Sequence, residues 1–143
     1  MFKNRQGFTL VELAIVIVII GTLAIFGLPK LRDAVEKAKS VKAFNYLSAV
    51  YSSQEDYFAE HDRYASSLFD LDIAVDEPEG FEISEIALLS GGWSQMLRRE
   101  KGIGLYGAYT LIFNQDGFDI LNSTVADDDH KPIHPIQIGV SSF

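Results

Sequence analysis

The chain has 143 residues, 48% of them hydrophobic and 22% charged, with 20 Asp and Glu against 12 Lys and Arg and no cysteine. This length suits one modest domain, and the apolar and aromatic content excludes wholesale disorder. The net charge of -8 argues against nucleic acid as a default partner, because a phosphate-binding surface needs Lys and Arg to displace counterions. Without cysteine there is no disulfide framework, thiolate metal site or cysteine nucleophile.

The hydrophobicity is concentrated at the start. Residues 8–28 read FTLVELAIVIVIIGTLAIFGL, and Glu12 is the one charge among them. About twenty apolar residues in a helix cross a bilayer core, so this stretch can span a membrane. Lys3 and Arg5 ahead of it make a short basic segment of the kind that targets a chain for export. A secretory signal cut near Thr22-Leu23-Ala24 and a plain anchor both share these features, yet neither accounts for Glu12. A carboxylate inside an apolar span is disfavoured and is a functional candidate by default.

Gly7-Phe8-Thr9-Leu10-Val11-Glu12-Leu13, with a basic leader before it and an apolar run after it, resembles the start of type IV prepilins and of type II secretion pseudopilins. The resemblance implies that a membrane aspartyl peptidase, the prepilin peptidase, cuts between Gly7 and Phe8 and methylates the new N-terminus of Phe8. It implies a homo-oligomeric helical filament, put together by inner-membrane assembly machinery, with Glu12 setting the register between subunits. The precursor would sit in the inner membrane, and the product would be a surface pilus or a periplasmic pseudopilus. The chemistry is consistent with this. A cut at Gly7 leaves a cationic amine on Phe8, one helical turn from Glu12, and an amine and a carboxylate from staggered neighbours offset the burial of both charges. Snorkelling of Glu12 to the headgroup edge is the other reading of the residues alone.

Gly21, Gly27 and Pro29 punctuate the span and predict a bend or local melting of the helix. The resemblance implies unwinding here within filaments, and close helix packing through glycine is the alternative. Lys30, Arg32, Lys37, Lys39 and Lys42 outnumber Lys3 and Arg5, so the positive-inside rule opposes the family's cytoplasmic leader. The family's orientation is the one expected here.

After Pro29, Leu31, Ala34, Val35, Ala38, Val41, Phe44, Leu47, Tyr51 and Phe58 recur at mostly three- and four-residue steps, with Gln54 the polar member of the stripe. This is helical periodicity, and neither glycine nor proline interrupts residues 30–61. A helix over residues 8–60 would be about 80 Å long. Asp33, Glu36 and Lys37 read as a solvated face, with contacts to neighbouring subunits as the functional alternative. The segment Tyr57 to Leu71 resembles the helix end and following loop of pilins, with Ala65 where many members place proline. Residues 55–85 contain eleven acidic residues and one basic residue, Arg63, which predicts a solvated surface able to meet cations or a basic partner.

The rest predicts strands. Phe81 and Ile83 alternate with polar residues, as do Tyr109, Leu111 and Phe113. Asn114-Gln115-Asp116-Gly117 is a hairpin turn, after which Phe118 and Ile120 resume. Ile136, Ile138 and Val140 predict a last strand, whereas residues 91–104 read as loop with at most one helical turn. The expected architecture is α+β and pilin-like: a leader (1–7), a transmembrane or filament-core helix (8–29), an amphipathic helix (30–60) and a head with an antiparallel sheet (61–143).

Nothing points to catalysis. His61, His130 and His134 are scattered, and Pro132 interrupts the HxxxH pair. Ser66, Ser67 and Ser90 stand in no nucleophile elbow. Gly102-x-Gly104-x-x-Gly107 spells GxGxxG without the strand and helix that give that motif meaning. No cofactor is expected. Asp127, Asp128 and Asp129, with Asn122 upstream, are the candidate ion site, since Ca²⁺ takes six to eight oxygens, and a solvated acidic loop is the alternative.

Overall fold

Helix α1 (Leu10–His61) holds 52 residues and so runs for about 78 Å at 1.5 Å per residue. The computed structural model describes residues 7–101 and 107–124. Thr9 caps the start of α1, and Asp62 ends it in the left-handed conformation at φ 54°, its N–H donating to the Phe58 carbonyl. The helix runs unbroken through Gly21, Gly27 and Pro29, which corrects the expected melting for the single subunit. Proline removes the bond its own N–H would give and crowds the carbonyl four residues back, a local penalty that the intact bonds of the turns on either side outweigh.

The two halves of α1 have different surroundings. From Leu10 to Leu31 every residue is exposed. Farther along, Glu36, Ser40, Ala43, Leu47, Val50 and Gln54 are buried at alternating steps of four and three, and this stripe meets the head. It is not the stripe the apolar pattern predicts at its beginning. Leu31, Ala34, Val35 and Ala38 are exposed, because Glu36 and Ser40 continue the buried face in their place.

The head is an antiparallel sheet of β1 (Glu82–Ile83), β2 (Ala87–Leu89), β3 (Gly92–Arg99), β4 (Tyr109–Asn114) and β5 (Gly117–Phe118) among the described residues. β4 lies between β3 and β5, and β1 and β2 share the other edge of β3. The register places Gln95 opposite Phe113, Leu97 opposite Leu111 and Arg99 opposite Tyr109. With Trp93, these inward residues cover Ala43, Leu47 and Val50 of α1 and form the core of the α+β fold. Phe44 adds edge-on contacts to Phe113 and Phe118, at 4.9 and 5.7 Å between ring centroids.

Two sequence expectations about the head change. The central strand β3 lies where residues 91–104 read as loop. Its inward positions alternate Trp93, Gln95, Leu97 and Arg99, and the two polar members hide the period-2 hydropathy signal. The turn before β5 forms as expected, with Gly117 at φ 100°. β5 nevertheless stops at Phe118, and Ile120 is exposed. Asp119 ends the strand by accepting bonds from the Asn122 N–H (3.1 Å) and side-chain amide (2.7 Å). The expected strand through Ile136 to Val140 lies outside the described residues.

Candidate functional site

The exposed half of α1 begins with a capping box. The Glu12 N–H donates to Thr9 Oγ1 (3.2 Å), while the Thr9 N–H and hydroxyl both donate to Glu12 Oε2 at 2.8 Å. This satisfies helix-start donors reciprocally. Thr9 was not singled out in the sequence, although Thr-x-x-Glu before an apolar run is the readable signature of such a cap. The structure thus joins Thr9 and Glu12 across the first turn, with Phe8 next to the cap in the chain. Glu12 is exposed, like the apolar side chains around it.

Gly7 and Phe8 lie in non-helical chain just ahead of the cap, and Phe8 is 87% exposed. Among the described residues, no atom beyond its chain neighbours lies within 4 Å of where a Gly7 Cβ would stand. The same holds for Gly21 and Gly27. Leu10, Val11, Ala14, Ile15, Val18 and Ile19 form a continuous apolar surface along one side of this half-helix. A surface of this length and polarity, left uncovered by the described residues, is suited to lipid or to copies of itself.

The buried half of α1 is fastened by a polar cluster. Arg99 at the end of β3 donates from Nε to Glu36 Oε1 (2.6 Å), from Nη2 to Glu36 Oε2 (3.1 Å) and from Nη1 to the Gly80 carbonyl (2.7 Å). The Tyr109 hydroxyl donates to Glu36 Oε1 at 2.8 Å. Glu36 is fully buried and Arg99 is 5% exposed, so this corrects the reading of Glu36 as part of a solvated face. Gly80, at φ +77°, is required there, because a Cβ would run into the Arg99 guanidinium. The Arg99 guanidinium also lies 5.3 Å from the centroid of Phe81. Hydrogen bonding to Glu36 holds the Arg99 guanidinium above its ordinary range. Burial, reinforced by Glu36, pushes the Tyr109 phenol well above its own. The partners are 63 residues apart, so no local pattern could have joined them.

Gln54 serves at the other end. Its side chain accepts from the Ala65 N–H (2.9 Å) and donates to the Ala65 carbonyl (3.0 Å), holding the chain that leaves α1 against the helix. The polar residue on the apolar stripe therefore has a structural partner. His61 stacks on Tyr57 at 4.1 Å and sits in no metal-binding group among the described residues. Asp127, Asp128, Asp129, His130 and His134 lie outside the described residues.

Residues 2–28 match the family model described as the prokaryotic N-terminal methylation motif. The chain is 36% identical over 87 residues to "Type IV major pilin protein PilA" of Myxococcus xanthus, covering 59% of this chain and 39% of that protein. It is 39% identical over 79 residues to "Type II secretion system core protein G" of Aeromonas hydrophila, covering 54% and 55% of the two chains. These alignments span roughly half or less of the relatives' own length. A "Fimbrial protein" of Pseudomonas aeruginosa aligns far more completely, at 30% identity over 139 residues, covering 97% of this chain and 80% of its own. With a long apolar helix, an antiparallel head and this full-length similarity, the chain belongs to the type IV pilin and type II secretion pseudopilin family.

Proposed function

We propose that this protein is a structural subunit of a type IV pilus, cut between Gly7 and Phe8 by a prepilin peptidase and methylated at Phe8. Residues 1–7 are the leader, with its basic charge on the cytoplasmic side. The apolar part of α1 anchors the precursor in the inner membrane and then packs into the filament core, where Gly21, Gly27 and Pro29 supply a place for the helix to unwind. Glu12 of one subunit receives the Phe8 amine of a neighbour, and the head forms the outer surface. The observation that carries this reading is the half-helix exposed on every side, with one carboxylate set a turn from the cleavage junction.

Two features support the pairing over a plain anchor. The Glu12 carboxylate stands exposed on the first turn after the junction, where a neighbour's cationic amine can reach it. Half of the cap survives such an exchange, since the Thr9 hydroxyl still accepts the Glu12 N–H. The 97% coverage against a fimbrial protein supports a pilus. A pseudopilin of type II secretion is the second reading, supported by the 39% identity to a core protein G.

Intact mass, taken separately from sheared surface material and from washed membranes, tests the proposal. The expected species starts at methylated Phe8 and is abundant in sheared filaments. The same species confined to membranes would favour the pseudopilin, and a chain retaining Met1 where the peptidase is present would refute the processing.

A further inference from the structure

The loop after α1 leaves an apolar groove open. Leu68, Phe69, Ile73 and Val75 line it with Tyr46, and Glu77 stands at its rim. Phe69 is 100% exposed and Val75 is 41% exposed. The Phe69 ring is not left outward by a loose loop: Ser67 Oγ caps the 3-10 turn Leu68–Asp70 by accepting the Phe69 N–H at 3.2 Å. Exposed Asp76 and Glu79 line the adjoining hollow that shares Val75 and Glu77 with the groove, and exposed Asp70 and Asp72 line another that shares Leu71, so negative charge flanks the groove on both sides. The chain also has a surface of the opposite character. On the side of α1 turned away from the head, Leu31, Ala34, Ala38 and Val41 follow one another at helical spacing, and none is buried. Exposed Lys30, Lys37 and Lys42 flank that face.

We propose that these two surfaces are partners between copies of the chain: the acid-rimmed groove of one subunit receives the lysine-flanked face of α1 from the next. This rests on the filament reading. Apolar meets apolar at the centre and acid meets base around it, an arrangement that sets orientation and rejects wrong partners. The axial register agrees. Placing a parallel neighbour's Phe8 beside Glu12 shifts it by four residues, or about 6 Å along the helix. The same shift brings the neighbour's Val41 and Lys42 level with Asn45 and Tyr46, and Tyr46 lines the groove. A single translation therefore serves the contact in the core and the contact at the head. Lys42 also borders the acidic rim of its own subunit, so the decisive probe is Val41.

The chain contains no cysteine, which makes paired cysteines a clean test. Full-length Val41→Cys and Phe69→Cys chains carrying different tags are co-expressed with the assembly machinery and treated with a short bis-maleimide. The expected product is a dimer carrying both tags, absent from strains expressing either variant alone. Leu88→Cys in place of Phe69→Cys serves as the control, being exposed on β2 away from the groove. A core pair, Val11→Cys with Ile15→Cys, reports filament packing at the same four-residue shift. A cross-linked core pair without the head pair, or with Leu88→Cys linking as well as Phe69→Cys, overturns the groove contact and leaves the filament standing. Failure of the core pair as well overturns the filament reading and the groove contact together.

Discussion

Replacing Arg99 with methionine keeps most of the side chain's volume while removing its charge and its three hydrogen bonds to Glu36 and Gly80. The Glu36 carboxylate, with no solvent exposure, then keeps the Tyr109 hydroxyl but loses the Arg99 guanidinium. Removing one partner of a buried ion pair destabilises by about 3–5 kcal/mol. In a domain of about 100 residues each kcal/mol shifts Tm by about 4–8 °C, so Arg99→Met should lower Tm on the order of 20 °C. Trp93 is the chain's one tryptophan and is fully buried against the helix, so its fluorescence reports the loss of packing in detergent-solubilised full chain. Glu36→Leu/Arg99→Met/Tyr109→Phe removes the whole cluster together. It should recover most of the lost stability, since apolar replacement of an entire buried network is often neutral or favourable. A loss below about 1 kcal/mol for Arg99→Met, or a triple variant no more stable than the single one, would refute the view that this cluster acts as one coupled unit.

Three further outcomes are expected. Because Tyr109 titrates above its ordinary value in the folded chain, the stability it contributes is complete below about pH 10 and is lost as pH rises further. Unfolding midpoints between about pH 10 and 11 should fall more steeply in wild type than in Tyr109→Phe, by up to about 1.4 kcal/mol per pH unit, and parallel slopes would contradict it. Gln54→Leu should cost about 1–3 kcal/mol in urea unfolding, because it strands the N–H and carbonyl of buried Ala65, and a cost under about 0.5 kcal/mol would count against that bridge. Thr9→Ala removes the side-chain half of the cap but leaves the carboxylate, so it should be processed and assembled close to wild type, whereas Glu12→Ala should be processed and fail to assemble. Equal assembly defects in sheared-filament yield would mean that Glu12 acts through the cap and not through a neighbour.

Much of this protein was legible in its sequence because the signals are local. The apolar run of residues 8–28, the Gly7-Phe8 junction and Glu12 stand within one short stretch, and helical spacing carries α1 onward to His61. The hairpin at Gly117 was legible for the same reason: a tight turn needs a positive φ, and the sequence places glycine there. Glu36 and β3 were misread, because burial decides their roles and the deciding partners are remote. A glutamate among lysines on a helix reads as solvated until an arginine 63 residues away is folded against it. Trp93, Gln95, Leu97 and Arg99 show no apolar alternation until Gln95 is seen donating to the Ser84 carbonyl (3.1 Å) and Arg99 reaching α1. Periodicity records which residues are apolar, and it is blind to polar residues that become buried once tertiary contacts satisfy them. The sequence by itself therefore determined the helix, its membrane-length apolar half and the processing motif. Only the tertiary structure decided which side of the second half faces the head, since that choice rests on ion pairing and hydrogen bonds between segments far apart in the chain.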